Sequence, residues 1–353
     1  MELSEYTARA VELLKKMISI PSQSRNEEKV ADMLFKHLES LGLEPNRLGN
    51  NVYCIAPGYD ASRPTLLLDA HIDTVKPVSA WTRDPFTPTE EEGKIYGLGS
   101  NDDGASVVSL LQVFCMLRTT EQSYNLIYSA SSEEEVSGKT GFEMLLGVLP
   151  PVSVALVGEP TEMQPAIAEK GLMVLDVTAY GKSGHAARNE GDNALYKVLD
   201  DIQWFRDFRF PEVSPMLGPV KMSVTMIQAG TQHNVVPDKC TFVVDIRSNE
   251  LYSNQQLFEI ISANTSCEVK ARSFRLNSSR IDIDHPLVQR ALALGREAFG
   301  SPTLSNQALM PFPSLKMGPG CSARSHTANE FILITEIEEA IDLYVKLLDG
   351  LKL

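Results

Sequence analysis

Histidine, aspartate and glutamate recur in this sequence in short clusters, side chains suited to holding divalent cations and to moving protons. The first cluster is Leu68-Asp69-Ala70-His71-Ile72-Asp73. On an extended chain His71 and Asp73 point to the same side, so Asp73 can hold one imidazole nitrogen while the other binds a metal. Alone, that spacing is as readily a structural histidine. The second cluster, Gly97-Leu98-Gly99-Ser100-Asn101-Asp102-Asp103-Gly104, is a glycine-rich turn before a helix. Such a turn can cradle phosphate. Here the glycine spacing is not that of dinucleotide binders, no basic residue follows, and two carboxylates would repel phosphate. The plain alternative is a turn whose Asp caps the helix. The third, Ser131-Ser132-Glu133-Glu134-Glu135-Val136-Ser137-Gly138, sets three mutually repelling carboxylates side by side. On an exposed loop they are merely solvated, whereas at the end of a buried strand they await a cation. The fourth is Val157-Gly158-Glu159-Pro160-Thr161, which Pro160 also lets read as a turn. The fifth, Ser325-His326-Thr327-Ala328-Asn329-Glu330, follows Met317-Gly318-Pro319-Gly320, and its histidine is again open to a structural role.

These clusters fall where elements should end. Thr65 to Ala70, Asn125 to Ala130 and Val152 to Val157 read as short, continuous apolar strands, with a helix from Ala105 to Leu117 between the first two. Helices from Tyr6 to Ile18, stopped by Pro21, and from Val30 to Leu41 precede them. Ser24 and Glu27 have capping-box spacing ahead of the second. Strands alternating with helices imply an α/β fold, a mostly parallel sheet with helices on both faces, whose ligand site collects at the carboxyl ends of the strands.

The middle of the chain has a different rhythm. Leu172 to Tyr180, Lys221 to Ile227 and Thr241 to Ile246 show period-2 strands, accompanied by helices near Asn193 to Phe205 and Asn254 to Ala263. The α/β pattern resumes near Asp284, with helices at Leu287 to Phe299 and Glu336 to Leu351. The expected organisation is a discontinuous catalytic domain over 1–171 and 282–353, with a smaller α+β lid or dimerisation domain inserted over 172–281.

The 353 residues suit two domains. An apolar fraction of 43% with 22% charged residues is that of a globular protein able to build its core without disulfides. With 32 basic and 46 acidic residues the net charge is −14, which argues against nucleic acid or an anionic membrane as partner. The acidity is otherwise accounted for by solubility, or in part by a carboxylate-rich metal site. Five scattered cysteines without CxxC spacing fit a reducing compartment and no thiolate zinc site. Met1 is followed by Glu2 and Glu5 rather than a basic, then apolar, leader, and no apolar run approaches a membrane span, so the expected location is the cytoplasm.

Taken in order, HxD, GxGxxxD, EEE, GEPT and a late SHxxxE resemble the zinc aminoacylase and deacylase family, the M20 peptidases, which includes acetylornithine deacetylase and succinyl-diaminopimelate desuccinylase. Two further stretches match. Gly181-Lys182-Ser183-Gly184-His185-Ala186-Ala187, with Asn193-Ala194 downstream, is similar to the family's GKxGH motif. Gly230-Thr231-Gln232-His233-Asn234-Val235-Val236-Pro237-Asp238, followed by Asp245-Ile246-Arg247, is similar to its NVVPD and DxR motifs.

The resemblance implies two bridged divalent ions, zinc first, with cobalt or manganese able to substitute. His71, Asp102 and Glu159 would hold one ion, and Asp102, Glu135 and His326 the other. Asp73 would orient His71. Any adjacent pair within Glu133–Glu135 could serve as base and ligand. The likeness of Glu134-Glu135-Val136 to the aminoacylase form favours Glu134 as the general base. His185 would reach across a homodimer to stabilise the oxyanion, and Arg247 and Asn234 would bind the substrate's carboxylate and backbone. Leu98 departs from the family's common arginine, no lysine follows Asp102, and Arg188-Asn189 replaces a common proline. None of these is a metal ligand. The implied reaction is hydrolysis of an N-acyl amino acid, first N-acetylornithine or N-acetylcitrulline (or the N-succinyl analogue) in arginine synthesis. N-acetyl-lysine, succinyl-diaminopimelate or a dipeptide are the alternatives. A binding protein without chemistry and a nicotinamide oxidoreductase are the more distant readings.

Overall fold

In the computed structural model, which describes residues 2–353, the apolar run after Pro64 forms the strand Thr65–His71, buried along its whole length. It pairs in parallel with Asn125–Ser131 on one side and Val154–Val157 on the other. Val154–Val157 pairs in parallel with Ser314–Lys316. Beyond Asn125–Ser131 the direction reverses, with Asn51–Ile55 antiparallel to it and Asn46–Leu48 closing a hairpin. A parallel centre buried on both faces selects near-continuous apolar strands, which is why these runs lack alternation.

One face of the sheet meets the apolar helix Ala105–Leu117, which packs in turn on Leu3–Ile18 and Ile334–Leu348. On the opposite face Leu67 packs with Ile127, Ala155, Val157 and with Phe142 and Leu145 of the short helix Phe142–Leu146. Each fully buried Leu contributes about 1.5–3 kcal/mol relative to exposure. Among them Asp69 is fully buried, its carboxylate accepting from the Ser129 and Ser131 hydroxyls and from Asn306 Nδ2 at 3.0 Å. The fold is thus mixed α/β, with the parallel strands all ending toward the acidic clusters.

Two expected features differ. The helix Glu28–Ser40 has no capping box, because Ser24 donates its hydroxyl to Asp73 and the Glu27 carboxylate accepts from Arg25 N and Asn50 Nδ2. Tertiary partners have taken both capping groups. The helix expected to reach Phe299 ends at Ala293, where Gly295 adopts φ +79° and turns the chain.

Two compact units emerge. One contains residues 1–167, 280–299 and 305–353, and the other residues 168–279 with 300–304. The second unit is built on a four-stranded antiparallel sheet in the order Lys221–Ala229, Lys239–Arg247, Met173–Tyr180, Glu268–Ala271. Met173, Leu175, Val177 and Ala179 alternate inward and pack with Val198 and Phe205 of the helix Ala194–Asp207 and with Leu257 and Ile261 of Asn254–Asn264. Asn193 caps the first helix, and Ser253 with Gln256 forms a capping box on the second. Among the described residues no helix is long and apolar enough to cross a membrane.

Candidate metal centre

His71 is the last residue of its strand and only 2% exposed. Its Nδ1 donates to the Asp73 carbonyl oxygen at 2.9 Å, with the Asp73 carboxylate 3.4 Å away. That contact directs Nε2 outward, where Asp102 Oδ1 lies at 3.1 Å and Glu134 Oε2 at 4.0 Å. The expected carboxylate clamp is therefore made chiefly by the main chain. The Asp73 carboxylate instead accepts the backbone N–H groups of Glu134 (2.9 Å) and Glu135 (3.1 Å), and the Ser24 hydroxyl (2.7 Å).

These bonds orient the acidic run. Glu133 stands at φ +57° and turns its carboxylate back onto Thr140. Glu134 and Glu135 follow in a single helical turn and face the centre, Glu134 toward His71 and Glu135 toward His326. His326, itself at φ +59°, places Nε2 3.0 Å from Glu135 Oε1 and 3.6 Å from Asp102 Oδ2. Left-handed backbone at two residues without Gly is costly, about 1–3 kcal/mol each, and such residues gather at functional sites. Asp102 lies between the two imidazoles, in the turn between Gly99 and the helix Ala105–Leu117, and its peptide bond to Asp103 is cis.

The electrostatics are those of an acidic cavity short of positive charge. Burial pushes the Glu134 carboxyl well above its usual range; the charge on His71 opposes this, and Glu135, Asp73 and Asp102 add to it. Burial does the same to Glu159, helped by Glu134 and Asp102 and opposed by the buried Lys316. Asp102 is largely shielded from water, yet its bond to His71 and the charges of both imidazoles hold it below the usual carboxylate range. His326 is raised by its bond to Glu135. Two sets of donor atoms lie within 4.8 Å of one another, His71 with Glu134 and Glu159, and His71 with Asp102 and Glu135. Imidazole nitrogens and carboxylate oxygens without thiolate suit zinc and its neighbours, so the residues fit a divalent metal pair.

The structure brings His71, Asp73, Asp102, Glu134, Glu135, Glu159 and His326 together in the first unit. His185, Asn234 and Arg247 belong to the second unit. There His185 bridges to Val235 and its Nδ1 accepts from Ala187 N, while the Asn234 carbonyl accepts from Ala186 N. Arg247 lays its guanidinium on Asp245 of its own strand at 2.8 and 3.2 Å. Sequence reasoning passed over Lys316, left Asp103 without a role at the site and read Ser24 only as a helix cap. Lys316 ends the short buried strand Ser314–Lys316, and only its burial, 1% exposed, marks it out. Asp103 is buried, and burial pushes its carboxyl up to about 8.

The sequence model of "Peptidase family M20/M25/M40" matches residues 67–350. Acetylornithine deacetylase of Proteus mirabilis is 27% identical over 374 residues, covering 96% of each chain. Succinyl-diaminopimelate desuccinylase of Wolbachia pipientis is 26% identical over 287 residues, 76% of this chain and 72% of its own length. A dinuclear metal-binding M20 peptidase from Bacillus subtilis superposes with a TM-score of 0.72 at 18% identity, over 99% of this chain and 100% of its own. Aminopeptidase PepT from Bacillus cereus does so with a TM-score of 0.76 at 17% identity, over 97% and 98%. With the family's sequence pattern running through most of its length, the chain belongs to peptidase family M20/M25/M40 and is a metal-dependent amidohydrolase.

Proposed function

We propose that the protein hydrolyses the amide bond of an N-acyl amino acid, N-acetylornithine or N-acetylcitrulline first and the N-succinyl analogue next. The observation that carries the reading is the convergence of two imidazoles and four carboxylates from five separate stretches of chain on one cluster, in which His71 is buried and His326 exposed. The acetylornithine deacetylase relative, similar over 96% of both chains, supports the choice of substrate.

His71, Asp102 and Glu159 would hold one divalent ion and Asp102, Glu135 and His326 the other, zinc being the first choice. The ions would supply Lewis acidity toward the amide carbonyl and toward an attacking water. Glu134 takes a proton from that water and returns it to the departing amine. Its carboxylate lies 4.0 Å from His71 Nε2, beside the atoms that would hold the ions, within reach of a water activated there. Asp73 keeps Glu134 in place through the backbone N–H it accepts. From the second unit, His185 donates to the developing oxyanion, Asn234 binds the substrate backbone, and Arg247 exchanges its fork on Asp245 for the substrate carboxylate.

The protein acts as a homodimer through its second unit. Tyr196 and Leu199, one turn apart on a helix, are 68% and 52% exposed, and Met226 and Ile227 on the edge strand are 65% and 52% exposed. Five free cysteines fit a cytoplasmic, reducing location.

A panel of acetyl- and succinyl-amino acids assayed with zinc or cobalt tests the substrate. Cleavage of the ornithine or citrulline forms is expected; failure on both, with cleavage of dipeptides, would replace this reading with a peptidase.

A further inference from the structure

Asp102 sits in a turn closed by one backbone bond of its own, from Gly104 N to Gly99 O at 2.9 Å. Between those two residues the chain leaves helical geometry at Asp102 (φ −124°, ψ 95°) and Asp103 (φ −126°, ψ 21°). Three N–H groups at the start of the turn converge on one side chain. Glu330 Oε1 accepts from Asn101 N at 2.8 Å and from Asp102 N at 2.9 Å, and Oε2 accepts from Gly99 N at 3.1 Å. The Glu330 carbonyl accepts a fourth, from Gly97 N at 3.1 Å. The residue is 2% exposed, so water does not compete for these donors.

Glu330 lies four residues after His326, on the same loop. Asn101 makes a second tie between the two loops: its Oδ1 accepts from Cys321 N (3.0 Å), and its Nδ2 donates to Cys321 O (3.2 Å) and the Ser325 hydroxyl (3.3 Å). Contacts that contain no ligand atom thus tie the loop of Asp102 to the loop of His326, whose ligand atoms stand 3.6 Å apart.

We propose that Glu330 is a positioning residue of the metal centre: its carboxylate gathers the backbone N–H groups around Asp102 and fixes that side chain where it meets both His71 and His326. The inference rests on the dinuclear reading of the site. Three convergent N–H donors are shared between both oxygens of one side chain, so the requirement is for acceptor geometry and not only for volume. Glutamine has the same shape but turns an NH₂ group toward at least one N–H. Aspartate keeps both oxygens with a shorter reach.

The test compares wild type, Glu330→Gln and Glu330→Asp as metal-free full-length proteins, titrated calorimetrically with zinc chloride and, separately, followed by visible absorption during cobalt(II) uptake. Wild type is expected to take up two ions. Glu330→Gln should bind the pair at least tenfold more weakly, with an altered cobalt band, and Glu330→Asp should fall between the two. A role in stability alone would lower the melting temperature of Glu330→Gln while leaving zinc affinity and the cobalt band as in wild type, and that result would overturn the inference. Should Glu330→Gln not fold, Glu330→Asp carries the test, a shifted band and weaker uptake being expected and wild-type values overturning it. If wild type itself takes up no pair of ions, the dinuclear reading falls first and the inference with it.

Discussion

Glu134 and its two acidic neighbours show how side chains of one type acquire different environments within three residues. Glu133 is turned onto Thr140, Glu135 meets His326, and Glu134 is left 4.0 Å from His71 with its carboxyl raised by burial. Replacing Glu134 by Gln removes the proposed proton carrier and leaves its volume. The rate constant kcat should fall about 10²–10⁴-fold while metal content, read by atomic absorption, stays unchanged. In the sequence only the likeness to the aminoacylase form distinguishes the three adjacent glutamates; in the fold the bonds from Asp73 to two backbone N–H groups help give each its own surroundings. Asp69 offers a second test at this scale. Burial pushes its carboxyl up to about 6, against about 3.9 in an unfolded chain. Between those values the folded state holds more proton than the unfolded one, so Asp69 lowers stability as pH rises from about 4 to about 6, and the loss is complete above that. In Asp69→Asn that contribution disappears. Denaturant titrations of the two proteins should therefore diverge across this window, by about 1.4 kcal/mol for each pH step of one within it. Parallel curves would refute the assignment.

Elements were legible from the sequence where burial alone decides them. The helix Ala105–Leu117 has the bounds its apolar run predicts, because nearly every residue of it is buried. The strand Thr65–His71 runs one residue beyond its apolar run, and that residue is the histidine. Legibility failed where a polar side chain had a distant partner. Ser24 and Glu27 have capping-box spacing but serve Asp73, Asn50 and the backbone of Arg25 and Glu133. Glu330 closes the SHxxxE stretch in sequence, and only the fold shows the turn it gathers. That turn also depends on Gly99, whose φ of +76° and space, 2.6 Å from a would-be Cβ to Thr74 Cγ2, exclude a side chain. Gly99→Ala should cost about 1–2 kcal/mol for the left-handed backbone alone and displace Asp102. Its expected signature is a lower melting temperature of the metal-free protein together with weaker zinc uptake; a melting change without one in uptake would separate the turn from the site.

For the whole molecule, period-2 strands and helical stretches marked the middle of the chain as different, and the structure has an antiparallel four-stranded sheet with two helices there. What composition could not show is the exposed apolar set Tyr196, Leu199, Met226 and Ile227, since exposure belongs to the fold. If a second copy covers that set, Leu199→Glu with Met226→Glu should convert a sedimenting dimer to monomer and reduce kcat more than tenfold with metal content intact. A fully active monomer would remove His185 from a role in trans. The centre itself is tested most directly by metal stoichiometry linked to activity. Chelator-treated protein should be inactive on every N-acyl amino acid, and activity should return as zinc is added, reaching its plateau at about two equivalents per chain. Full activity in the metal-free protein, or no uptake of divalent ions at all, would contradict the account.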